Sequence, residues 1–182
     1  MRLSRPIIVA LASSVLALSL WQIGAAGPLE DGLAAAKRGN YGQALQLWRP
    51  LAEQGDAAAQ YNLGLSYDRG QGVAQDYAQA ATWYGRAADQ GVVWAQLHLG
   101  LMYVEGRGVP LNDGLAAMWY RRAAGRGSAE GQALLGNLYE WGRGVTQDYE
   151  QAAIWYRRAA DQGNAVGQAD LGKMYEHGRG VP

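Results

Sequence analysis

Apolar positions between residues 77 and 88 keep a helical rhythm. Ala80, Ala81, Trp83, Tyr84, Ala87 and Ala88 follow i, i+3, i+4, i+7 spacing, which places them on one helix face. Asp76 offers an N-cap oxygen just before this run and Gly91 a stop just after it, so the pattern predicts a helix over 77–90. A second helix is predicted from about 92 to 105, with Ala95, Leu99, Gly100 and Tyr103 on its inner face.

The pattern returns every 36 residues without gaps. Trp83-Tyr84, Trp119-Tyr120 and Trp155-Tyr156 share that spacing, as do Gly64, Gly100, Gly136 and Gly172. So do Tyr67, Tyr103, Tyr139 and Tyr175, the glutamines 60, 96, 132 and 168, and the Gly-Val pairs at 72, 108, 144 and 180. Four units follow, 41–76, 77–112, 113–148 and an incomplete 149–182, each read as two helices. Asp56, Ser128 and Asn164 are the candidate caps of the second helices, where the second unit has Val92. The Gly-x-Gly-Val stretch suits a turn with positive φ; it does not join a strand to a helix, so it is not read as a phosphate loop. A glycine within a helix costs about 1 kcal/mol relative to alanine. Its return at one phase in every second helix predicts a close helix crossing. Residues 29–38 predict a short leading helix, which with its linker occupies 27–40, and Pro50 predicts a kink in the first unit's leading helix.

One hairpin of this size cannot bury its own Trp and Tyr, so neighbouring hairpins must stack into a continuous core. The expected fold is all-α: a right-handed superhelical solenoid of helix-turn-helix repeats. The signature Asp76-Tyr77-x-x-Ala80-x-x-Trp83-Tyr84-x-x-Ala87-Ala88 continues with Gly91-x-x-x-Ala95-Gln96-x-x-Leu99-Gly100-x-x-Tyr103-x-x-Gly106-x-Gly108-Val109. It resembles the Sel-1-like repeat family, a relative of the tetratricopeptide repeats. The resemblance implies an adaptor for protein complexes, and bacterial members like this one serve envelope signalling, secretion, polysaccharide assembly or host interaction. A cysteine-rich branch of the family is β-lactamase-like, with a disulfide in each repeat. The third unit departs from the pattern, with Asp113 in place of the usual Tyr and Gly125 after the Ala pair.

Composition narrows the function. The 182 residues carry 16 Lys+Arg against 16 Asp+Glu, two His and no Cys. Balanced charge gives nucleic acid no basic face. Without cysteine there is no disulfide framework, thiolate metal site or cysteine nucleophile, and nothing of the cysteine-rich branch is carried over. The aromatics are 11 Tyr and 7 Trp with no Phe, so each has a polar tip that needs a partner. At the N-terminus, Arg2 and Arg5 precede an uncharged run, Ile7 to Leu20, and Gly24-Ala25-Ala26 follows. That is the pattern of a secretory signal peptide over 1–26, cleaved near Ala26; an uncleaved anchor reaching Ile23 is the other reading. The expected destination is the periplasm or the exterior, with no membrane span after cleavage.

Residues repeated at one phase in every unit read as packing. The four glutamines are expected to satisfy backbone groups of the turns, and the Trp-Tyr pairs and recurrent tyrosines to form the core. Binding residues should break the pattern. Trp94 and Trp141 take phases where other units have polar residues, and they share one outer stripe of the second helices with His98 and Leu134 between them. This stripe reads either as a protein-binding hot spot or as packing on adjacent units. On the first helices, Arg49, Arg86, Arg157 and Arg158 each have a carboxylate within a turn, from Glu53, Asp89 or Asp161. Arg121, Arg122 and Arg126 have none; with Leu115 and Met118 they form a patch suited to an acidic peptide or anionic glycan, or an ordinary solvated face.

No catalytic, cofactor or metal site is expected. His98 and His177 lie over two units apart, and Glu105 and Glu140 are isolated carboxylates at helix ends. The expectation is a non-catalytic adaptor in the bacterial envelope; the alternative is a β-lactamase-like or peptidoglycan-fragment-binding protein. The end formed by Leu171, Met174 and Tyr175 offers an edge for self-association.

Overall fold

The computed structural model describes residues 27–181; the signal-peptide reading concerns residues outside this range. Nine α-helices and no strand occur among the described residues. They are α1 (Pro28–Lys37), α2 (Tyr41–Glu53), α3 (Ala57–Arg69), α4 (Tyr77–Asp89), α5 (Val93–Glu105), α6 (Asp113–Gly125), α7 (Ala129–Trp141), α8 (Tyr149–Asp161) and α9 (Ala165–Glu176). Each helix packs chiefly against the one before and the one after it in the chain. The hairpins α2–α3, α4–α5, α6–α7 and α8–α9 therefore form a solenoid.

Capping sets the boundaries. Asn40, Asp56, Asp76, Asn112, Ser128, Asp148 and Asn164 each accept a hydrogen bond from a first-turn N–H, as their short polar side chains allow. Val92 caps α5 without a side-chain bond. α3, α5 and α7 end on Gly70, Gly106 and Gly142 at φ 66°, 66° and 64°, a left-handed conformation that glycine adopts without strain. Two residues on, Gly108 lies against the backbone of Tyr77, with no room for a Cβ, so the turn folds back under the start of its own hairpin. α2 continues through Pro50 to Glu53.

Helices of 10 to 13 residues are marginal alone, so the packing between hairpins decides stability. Tyr84, Tyr120 and Tyr156 are each no more than 1% exposed. Full burial of a large side chain contributes roughly 3 kcal/mol. Each ring lies against a glycine of the preceding hairpin: a Cβ on Gly64 would come 2.5 Å from Tyr84, one on Gly100 2.5 Å from Tyr120, and one on Gly136 2.8 Å from Tyr156. The predicted close crossing is thus an inter-hairpin contact, a ring from one unit seated on the bare backbone of the last. α1 joins the series through Gly32, whose Cβ would overlap the Trp48 indole, and the indole N–H donates to the Leu29 carbonyl at 3.3 Å.

The glutamines bond the ends of the first helices. Gln60 and Gln96 each donate through Nε2 to the carbonyls of Ala52 and Ala88 at 3.0 Å, and Gln132 and Gln168 to Ala124 and Ala160 at 3.5 and 3.4 Å. The recurrent tyrosines at 67, 103 and 139 are half-buried rather than core, and Tyr175 is exposed. Tyr67 and Tyr139 accept at the hydroxyl from Arg49 and Arg121, and Tyr175 from Arg157. Position 85 is glycine, so Tyr103 has no arginine at the corresponding place.

Candidate binding surface

The arginine ladder is arranged differently from the within-turn pairing expected from the sequence. Arg86, Arg122 and Arg158 lie over the rings of Trp83, Trp119 and Trp155 at 4.5, 4.5 and 4.6 Å, a cation–π arrangement. Asp89 does not serve Arg86. It reaches across the hairpin boundary to Arg122 at 3.2 Å, so Arg122 has a carboxylate partner after all, supplied by the preceding hairpin. Arg121 donates to the Tyr139 hydroxyl at 2.9 Å. Arg126 is exposed, and its guanidinium lies over Gly91. Arg122 and Arg126 therefore face the preceding hairpin, beside an open pocket of about 360 Å³ lined by Ala88, Asp89, Gly91, Gln96, Arg122 and Arg126, while Arg121 faces α7 of its own hairpin. Leu115 and Met118 are half-buried, and Met118 packs into the core shared with α4 and α5.

Asp113, where other hairpins begin with tyrosine, has a matched partner. Its carboxylate accepts from Arg143 Nε at 3.1 Å and Nη2 at 2.9 Å. In the hairpins on either side the equivalent arginines, Arg107 and Arg179, sit over Tyr77 and Tyr149 at 5.2 and 5.6 Å. An ion pair thus replaces a cation–π contact in the same joint.

Trp94 and Trp141 are 57% and 62% exposed, as their phases predict. They sit at opposite ends of α5 and α7, about 16 Å apart along the helix direction for eleven residues of rise. They are two separate exposed side chains and not one patch. His98 and Leu134 do not bridge them as exposed residues. Leu134 is half-buried against the α6–α7 core. His98 stacks on Tyr84 with centroids 5.0 Å apart and an interplanar angle of 12°, beside Tyr61 at 5.9 Å.

Around His98 lies a cluster that sequence reasoning missed. Tyr84 donates to Asp68 Oδ2 at 3.3 Å, and Arg107 bridges Asp68 and Glu105. Burial pushes the Tyr84 hydroxyl well above the ordinary tyrosine range, with the Asp68 charge adding to it. Desolvation holds the His98 imidazole below its usual 6.5, against the Asp68 carboxylate, which pulls the other way. No spacing within one helix signals the cluster, because its members come from α3, α4, α5 and the turn after α5. Glu140 is likewise not isolated, because it accepts from the Tyr156 hydroxyl at 2.8 Å. Among the described residues no group of three His, Asp or Glu is placed to hold a metal ion.

At the last hairpin Met174 is buried at 1% exposure, Leu171 is half-buried and Tyr175 is 48% exposed. Met174 therefore does not belong to an exposed edge. No helix of the described residues is long and apolar enough to cross a membrane.

Comparison with known proteins agrees with this geometry. The chain is similar to the crystal structure of c5321, a protective antigen present in uropathogenic Escherichia coli strains displaying an SLR fold: 45% identity, TM-score 0.80, covering 85% of this chain and 34% of that one. It is also similar to a Sel1 repeat protein from Oxalobacter formigenes, at 38% identity and TM-score 0.80, covering 85% and 63%. The chain thus spans less than two thirds of the length of either. The Helicobacter pylori cysteine rich protein B shares the fold at 19% identity and TM-score 0.55, over 78% of this chain and 96% of that one. A search of curated proteins gave no match. The Sel1 repeat family, whose scaffold suggests protein–protein interaction, matches at residues 17–56, 57–92, 95–128, 129–164 and 165–182. The chain belongs to the Sel1 repeat family.

Proposed function

We propose that this chain is a non-catalytic adaptor of the bacterial cell envelope that holds another protein through the α6 edge. The observation that carries this reading is the break in the repeat at the end of that edge: Gly125 and Arg126 stand where the flanking units have Asp89-Gln90 and Asp161-Gln162, and the exposed Arg122 and Arg126 border an open pocket. Arginines held in place by a tyrosine hydroxyl, an indole face and a single carboxylate keep donors free for an acidic partner. Trp94 and Trp141 serve as flanking apolar anchors. The basic n-region and apolar run of residues 1–26 support export to the periplasm.

Capture from an envelope extract tests the reading. Tagged wild-type protein is expected to retain a partner that the double variant Arg121→Glu, Arg122→Glu loses, with helical circular dichroism unchanged. Retention of the same partner by the double variant removes the α6 edge. The pure protein is expected to turn over neither nitrocefin nor muropeptides; turnover lost in His98→Ala would overturn the non-catalytic reading.

A further inference from the structure

The joint between successive hairpins contains a glutamine relay. Gln90 donates through Nε2 to Gln60 Oε1 at 2.8 Å and to the Gly55 carbonyl at 2.9 Å. Two joints later Gln162 donates to Gln132 Oε1, also at 2.8 Å. The middle joint should pair residue 126 with Gln96, but residue 126 is arginine. Gln96 is 2% exposed, its Nε2 is committed to the Ala88 carbonyl at 3.0 Å, and its Oε1 has no hydrogen-bond partner. An orphaned buried acceptor costs about 1–3 kcal/mol, and the sequence tolerates it at this one joint of the three. Gln96 lines the pocket that Arg122 and Arg126 border, with its orphaned Oε1 buried beneath the pocket surface.

A ligand that completes this site must bring an anion for the guanidiniums and, close beside it, an N–H donor for Gln96. The last residue of a polypeptide carries both groups, a carboxylate and an amide N–H separated by one Cα. We propose that the α4–α6 joint binds the free C-terminus of a partner protein, an assignment that rests on the adaptor reading above. The exposed Arg126 guanidinium, which lies over Gly91, turns onto the carboxylate, and Gln96 Oε1 accepts from the terminal amide. Arg122 takes the second carboxylate oxygen, held at the pocket mouth by Asp89 at 3.2 Å. The flanking joints are closed by Gln90 and Gln162 and take no ligand.

The test uses three pools of N-acetylated hexapeptides randomised at the last two positions: free acids, C-terminal amides, and free acids ending in a D-residue. Binding is read by the NMR signals of the Gln96 side-chain amide and by mass spectrometry of retained peptides. The L free-acid pool is expected to shift the Gln96 amide, and the amidated pool to bind at least about tenfold more weakly. Arg126→Gln restores the relay, because a glutamine at that position can donate to Gln96 as Gln90 and Gln162 do to their partners. The variant should keep or raise the unfolding midpoint while losing about tenfold in peptide affinity. Equal binding of acids and amides, or undiminished binding by Arg126→Gln, overturns the site. If envelope capture still depends on Arg121 and Arg122 in that case, the adaptor reading survives without it. Preference for the D-terminated pool overturns assignment to a protein terminus and points to cell-wall stem peptides.

Discussion

Gly100 on α5 lies flat against the ring of Tyr120 on α6, so close that a Cβ on the glycine would stand 2.5 Å from Cε1. Gly172 on α9 holds the same phase, and nothing lies within 4 Å of where its Cβ would be. The two positions separate the packing role of the helical glycine from its propensity cost. Gly100→Ala should destabilise by about 1–3 kcal/mol through overpacking against a buried ring. Gly172→Ala should be neutral or stabilising by up to about 1 kcal/mol. Urea denaturation followed by circular dichroism checks the pair, and equal effects at the two sites would contradict the seating of Tyr120 on Gly100.

The glutamine relay gives a second contrast. Gln132 is 6% exposed and links the Ala124 carbonyl to the amide of Gln162. Gln132→Leu removes both bonds, but the Ala124 carbonyl keeps the Gly127 N–H at 3.0 Å and Gln162 keeps the Arg158 carbonyl at 3.4 Å, so the loss should be about 0.5–1.5 kcal/mol. Gln168 is exposed and makes one long bond at 3.4 Å, so Gln168→Leu should cost less than about 0.5 kcal/mol. Thermal unfolding of the two variants side by side measures the difference.

The half-buried imidazole of His98 makes stability depend on pH. Its folded pKa lies below the ordinary 6.5 because of desolvation, with Asp68 opposing and Arg69 and Arg107 assisting. Below about pH 6.5 the unfolded chain takes up a proton that the folded chain refuses. Stability contributed by neutral His98 is therefore present above pH 6.5 and falls as the pH drops toward the folded pKa. A histidine NMR titration should give His98 a midpoint below 6.5. His98→Gln should flatten the stability profile between that midpoint and neutral pH; an unchanged profile would remove His98 from the linkage.

The fold was legible because its packing residues repeat. The Trp-Tyr pairs, the helical glycines and the Gly-x-Gly turns each recur at one phase, and every hairpin meets the same neighbour in the same way. The site was legible only as a set of irregularities. Asp113 looked like a lost tyrosine, yet Arg143 is there to meet it at 2.9 Å. Asp89 seemed bound to Arg86 three residues away, yet it pairs with Arg122, thirty-three residues on. Gln162 and Gln132 lie thirty residues apart. These pairings depend on how one hairpin leans on the next, which spacing within a helix does not encode. His98 was misplaced for the same reason: its helix phase is outward, but Tyr61 and Tyr84 of neighbouring helices close over it.

Two open glycines allow the most direct measurement of where a partner sits. Gly125 ends α6 beside the arginines, Gly42 lies in the first turn of α2, and neither has an atom within 4 Å of where a Cβ would be. A photo-crosslinking residue can replace either without disturbing the packing. Irradiation in envelope extract should join a second protein to the chain substituted at 125 and leave the chain substituted at 42 free. Crosslinking at 42 with none at 125 would contradict partner binding on the α6 edge.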